Sequence, residues 1–132
     1  QDQRVLTSGF WPDLSEAGIV VDVRRGDMED PLAGVVRVAA SGERPVDLIV
    51  GRYAWQQRAV TRARVLSSGQ RVVQARDLVL LKLYAGGTQD LWDIRQLLGL
   101  PTGAALIADV EEDLPDLPPS VGPLWHAVKS PA

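Results

Sequence analysis

The apolar runs of this chain change character along its length, and that change limits the folds open to it. Before residue 51 the runs are short and β-branched: Ile19-Val20-Val21-Asp22-Val23-Arg24, Gly34-Val35-Val36-Arg37-Val38 and Val46-Asp47-Leu48-Ile49-Val50. Turn residues bound each of them, among them Gly18, Gly26, Pro31, Gly42 and Pro45, which is the pattern of three strands. The third is the most apolar, and it is expected in the middle of a sheet. After residue 77 the runs lengthen to helical size. Leu78–Ala85 is apolar almost all round and reads as a buried helix. Gly86-Gly87 stops it, and Thr88 opens a helix with Leu91, Ile94, Leu97 and Leu98 at helical spacing. Gly99 and Pro101 close that helix.

Between the two halves, a helix is expected from about Tyr53 to Arg62. A short hairpin should join Val65-Leu66 to Val72-Val73 through Ser67-Ser68-Gly69-Gln70. A short helix is also expected over 13–17, and another from about Thr102 to Asp113. Pro115, Pro118, Pro119 and Pro123 then predict an extended tail with one helical turn around Trp125. Strands first and helices later make an α+β arrangement. Residues 1–114 form the expected domain, and residues 115–132 a proline-rich C-terminal tail.

At 132 residues the chain has material for one core. With no cysteine it has no disulfide, thiolate metal site or cysteine nucleophile. Its single histidine, His126, excludes a two-histidine zinc site and is assigned no role. No apolar run approaches the roughly 20 residues that span a bilayer, because Lys82 interrupts the longest one, and no secretory signal is present within these residues. A cytoplasmic location without membrane contact is the expectation. The chain opens at Gln1 and its only methionine is Met28, so a piece of a longer protein is expected.

The net charge of −3 conceals three blocks. Residues 1–49 carry five basic and nine acidic side chains. Residues 50–76 carry six arginines (Arg52, Arg58, Arg62, Arg64, Arg71 and Arg76) and no acid, and residues 77–132 carry three basic and eight acidic groups. An arginine-only block suits a polyanion such as a nucleotide or RNA. Equally, the six can solvate different faces of a helix and two strands. Asp47 interrupts an apolar strand: either it points inward and needs a cation such as Mg²⁺, or it faces solvent or an arginine. Lys82 either snorkels to the surface or holds its ammonium on a phosphate or carboxylate. Asp90 and Asp93, three residues apart, share one side of their helix. Asp27, Glu29 and Asp30 form an acidic turn without calcium-loop spacing.

Three stretches together carry a resemblance. They are Arg24–Val36 with Pro45–Val50, then Trp55, Ala59 and Arg62, and finally Asp77-Leu78-Val79-Leu80-Leu81-Lys82-Leu83-Tyr84-Ala85-Gly86-Gly87 running on to Gln89-Asp90-Leu91-Trp92-Asp93-Ile94. This succession resembles the later part of AbiEii/AbiGii-toxin-like nucleotidyltransferases, within the minimal nucleotidyltransferase (DNA polymerase β-type) superfamily. The resemblance implies a nucleotidyltransferase-like mixed sheet with C-terminal helices packed on it. It also implies Mg²⁺-dependent transfer of a nucleotidyl group from an NTP to an acceptor such as RNA, in a toxin or phage-defence protein with a cognate antitoxin. Asp47 matches the third metal-binding carboxylate, Lys82 the helical lysine that contacts phosphate, and Asp90 the acidic position after it. Arg52 and Arg58 are the further phosphate-binding candidates. The family's Gly-Ser or Gly-Gly turn and Asp-x-Asp pair do not precede Asp47 here. The domain is therefore expected to be N-terminally incomplete and inactive as it stands. The alternative is a non-catalytic nucleotide-, RNA- or protein-binding module that has lost the metal centre.

Overall fold

A computed structural model describes residues 3–28, 30 and 32–130. They form two compact units, Gln1–Gln57 and Arg58–Ala132, whose boundary falls inside one helix. Strands precede helices, and the mixed α+β class expected from the sequence holds.

The first unit opens with two 3-10 turns, Gln3–Leu6 and Ser8–Phe10, and a short helix α1, Pro12–Glu16. Strands β1 (Val20–Arg25), β2 (Leu32–Ala39) and β3 (Val46–Gly51) form an antiparallel sheet in the order β1-β2-β3. Opposed residues share a face, so the register separates two surfaces. The row Val23, Val36, Leu48 points to one side and the row Asp22, Arg37, Asp47 to the other. The first side carries the buried cluster of Leu6, Val36 and Val50, flanked by Val5, Trp11, Val21, Val23 and Val38. Gly34 makes that packing possible. A β-carbon there would stand 2.5 Å from the Arg24 carbonyl oxygen and 2.6 Å from Leu6 Cδ2, far inside contact distance.

The expectation that the third strand is central is overturned: β2 is central and β3 is an edge. A continuous apolar run signals a strand buried on both faces, but two successive hairpins put the middle strand of the sequence in the middle of the sheet. Of the five-residue run only Val50 is buried, while Val46, Leu48 and Ile49 are exposed.

Helix α2 spans Ala54–Thr61 and crosses the unit boundary. Gln56 anchors its start: its Oε1 accepts the N–H of Arg52 at 2.6 Å and of Tyr53 at 2.9 Å. The second unit continues with the hairpin β4 (Arg64–Val65) and β5 (Arg71–Val72). Helices α3 (Ala75–Ala85), α4 (Thr88–Leu98), α5 (Gly103–Asp113) and α6 (Val121–Lys129) follow. Helix α3 touches α4, α5 and α6 and buries Val79, Leu80 and Leu83, as its all-round apolarity predicts. Gly86 ends it at φ 67°, donating its N–H to the Lys82 carbonyl at 2.9 Å.

The extended tail is a second correction. Residues 121–129 form a nine-residue helix, α6, which buries Val121, Trp125 and Val128. The prolines misled because Pro118 and Pro119 precede the helix and Pro123 lies in its first turn, where no intrahelical N–H is required. No helix among the described residues is long and apolar enough to cross a membrane.

Candidate functional site

Asp47 lies on β3, on the sheet face opposite the Leu6/Val36/Val50 cluster. Its carboxylate is 3.5 Å from Arg37 Nη1, and the two side chains are 46% and 53% exposed. The inward-pointing alternative is thus excluded, and the arginine-facing one holds. A pair so long and so exposed contributes at most about 1 kcal/mol. Across the sheet, Asp22 opposes Arg37 from the other side and also accepts a 3.0 Å bond from Arg24 Nε. The row reads acid, base, acid.

That row bears on magnesium. The ion takes carboxylate oxygens at about 2.1 Å in a near-octahedral shell, and a two-metal centre is clamped by several carboxylates. Asp22 and Asp47 are separated by an intervening strand, so their Cα atoms lie about 10 Å apart, with Arg37 at the register position between them. Among the described residues no group of three or more His, Cys, Asp or Glu side chains is placed to hold a metal. The two exposed carboxylates of this row, Asp22 and Asp47, each face an arginine, and the described residues do not gather the several carboxylates of the two-magnesium arrangement. The acidic turn adds little. Asp27 and Asp30 are tied to each other's backbone amides at 3.0 and 2.9 Å, and Glu29 lies outside the described residues.

Lys82 belongs to the second unit, on the last turn of α3. Its ammonium donates to Asp90 Oδ1 at 3.1 Å and to Asp93 Oδ2 at 2.5 Å, both on α4. Gly86-Gly87 makes this clasp possible by turning α4 back beside α3. The motif of the resemblance is thus gathered in space, with the lysine on carboxylates. The Asp93 bond, then the Asp90 bond, raises the Lys82 pKa above its ordinary value. Hydrogen bonds from Lys82 and then Gln89 hold Asp93 below the usual carboxylate range.

The arginine block divides by partner. In the second unit Arg58 binds Asp116, Arg62 binds Asp77 at 2.5 Å and Asp113 at 2.8 Å, and Arg76 binds Glu112 at 2.8 Å and Asp113 at 2.9 Å. Asp77 is completely buried and Asp113 nearly so. Burial opposes protonation of Arg62, but its bonds to Asp77 and Asp113 outweigh it, and its pKa is raised. Arg76 is raised chiefly by its bond to Glu112. Arg58, expected on phosphate, is thereby engaged by the chain's own acids. Arg52, in the first unit, meets no carboxylate among the described residues. Its Nη2 donates to the Asp27 carbonyl at 2.5 Å and the Leu32 carbonyl at 3.3 Å, and its Nη1 to the Met28 carbonyl at 3.4 Å.

Asp113 and Asp77 were not singled out as partners of the arginines. The available signal was the run of acids on α5, Asp109, Glu111, Glu112 and Asp113, which answers the acid-free arginine block. No family model, curated protein or solved structure matches this chain.

Proposed function

We propose that the chain is a nucleotidyltransferase-like module of the AbiEii/AbiGii type, and that its described residues bind a nucleoside triphosphate without themselves transferring the nucleotidyl group. The observation that carries the second half of this reading is the Asp22–Arg37–Asp47 row. The partner of Asp47 on the neighbouring strand is an arginine and not a second carboxylate. The first half rests on the resemblance, whose most specific residues, Lys82, Asp90 and Asp93, form one hydrogen-bonded cluster.

Titration with ATP and GTP in the presence of Mg²⁺, alongside a pyrophosphate-release assay, tests both halves. Binding without release is expected, and Asp47→Asn should bind as well as the parent or better, because a charge repelling phosphate is gone. Absence of nucleotide binding would remove the reading. Mg²⁺-dependent release that Asp47→Ala abolishes would replace it with the catalytic one.

The exposure of Asp47 favours that second reading to a limited extent. Held by one 3.5 Å contact, the carboxylate can leave Arg37 for a cation where further carboxylates are provided. Asp47 would then be a metal ligand, with RNA as the acceptor. An antitoxin partner rests on the resemblance alone.

A further inference from the structure

An open groove of about 550 Å³ in the first unit is lined by Arg4, Thr7, Arg25, Gly26, Ala33 and Arg52, with no acidic side chain among its described lining residues. Arg25 spends one donor: its Nε binds the Leu6 carbonyl at 2.9 Å. Both terminal nitrogens are left without a partner among the described residues. Arg52 spends its terminal nitrogens on the three backbone carbonyls of Asp27, Met28 and Leu32. Carbonyl oxygens orient a guanidinium without neutralising it, so both cations keep their full charge toward the groove. Of the carboxylates close to Arg25 in sequence, Asp22 pairs with Arg24 at 3.0 Å, and Asp27 and Asp30 accept each other's backbone amides. Gly26 sets the groove's shape. A β-carbon there would stand 2.2 Å from the Leu32 carbonyl oxygen, and its N–H donates to Ala33 at 3.0 Å, drawing the end of β1 against the start of β2.

We infer that this groove is a phosphate-binding site, with Arg25 presenting its planar fork to the phosphate oxygens and Arg52 supplying fixed positive charge behind it. Arginine is suited to this chemistry because two parallel N–H donors match two phosphate oxygens. The site gives a seat to the phosphates of the proposed nucleotide, and for the nucleotide alone it rests on that reading. The phosphate itself can come from a free nucleotide or from an RNA strand.

Inorganic tripolyphosphate, titrated calorimetrically into the full chain, is the direct probe. Arg25→Glu should weaken its binding by tenfold or more and Arg25→Gln by about fivefold, the size expected for a lost charge-assisted pair. Arg44→Gln, on the exposed 41–45 turn, should change nothing. Because Arg25 also holds the Leu6 carbonyl, Thr7→Asp serves as a second variant: it places a negative charge in the groove with every arginine kept, and it should weaken binding likewise. Competition identifies the source. Displacement by ATP but not by an RNA oligonucleotide lacking terminal phosphates assigns a terminal polyphosphate, and equal displacement by that RNA assigns the backbone; either supports the site. Tripolyphosphate binding that ATP cannot displace keeps the site and removes the nucleotide reading. ATP binding unchanged in both Arg25→Glu and Thr7→Asp keeps the reading and overturns the site, as does a failure of tripolyphosphate to bind.

Discussion

Two sets of arginines, one in each unit, are held in opposite ways. In the second unit Arg58, Arg62 and Arg76 converge on Asp77, Asp113, Asp116 and Glu112, and each charge is answered by a carboxylate. In the first unit Arg25 and Arg52 are held by backbone carbonyls, which fix their direction and leave their charge in place. One residue type does two jobs. Matched to acids at partly buried positions, it ties helices together. Matched to neutral oxygens beside a groove, it is available to an anion from outside. A count of arginines per segment cannot distinguish these, because the answering acids lie 15 to 58 residues away in the chain.

Removing an acid from the second unit should break its side of the contrast most visibly. Asp77→Ala leaves the Arg62 guanidinium, one quarter exposed, beside an empty buried position, and a loss of about 3 kcal/mol in denaturant unfolding is expected. A loss below about 1 kcal/mol would mean that the pair is not structural. Arg52→Met removes the three carbonyl contacts of the first unit and should destabilise it by about 2 kcal/mol. Nuclear magnetic resonance should place the disturbance at residues 26–33, and an undisturbed turn would contradict the anchoring role.

A smaller effect comes from pH. The Asp93 carboxyl is held below its usual range by Lys82, so the folded state binds its proton less readily than the unfolded chain. Its contribution is fully present above the ordinary carboxylate pKa of about 4, and it is lost as pH falls through the lower folded value. Asp93→Asn should therefore flatten the fall in stability below about pH 4. Identical slopes in parent and variant would argue against the clasp. The least change is expected at Asp47, where Asp47→Asn should alter stability by under about 1 kcal/mol. A larger loss would show that the Arg37 contact is stronger than its length and exposure imply.

Much of the fold was legible from the spacing of glycine, proline and apolar residues. The three strands, the 65–73 hairpin and the helices α3 to α5 all follow local pattern, and the structure places them within a few residues of their expected bounds. What local pattern could not show was order and docking. The apolar third strand is an edge because connection order outranks composition, and α6 forms because its prolines fall where a helix tolerates them. The candidate site was legible only residue by residue. Lys82, Asp90 and Asp93 meet as their helical spacing allows, and Asp47 faces an arginine as one of its two alternatives had it. The groove at Arg25 escaped notice because its parts, a 3-10 turn, a strand end and a loop arginine, are distant in sequence. Nothing in the residue type reveals that a carbonyl rather than a carboxylate will meet the guanidinium.

The contrast between the two sets of arginines is tested most directly by thermal unfolding with and without tripolyphosphate, in the parent chain, Arg25→Glu and Arg58→Gln. A ligand that binds only the folded state raises the melting temperature by an amount that grows with the logarithm of one plus the ratio of free ligand to its Kd. The account predicts a rise in the parent, the same rise in Arg58→Gln, and a clearly smaller one in Arg25→Glu. A rise kept in Arg25→Glu and lost in Arg58→Gln would contradict it, and would place the available charge among the arginines already answered by acids.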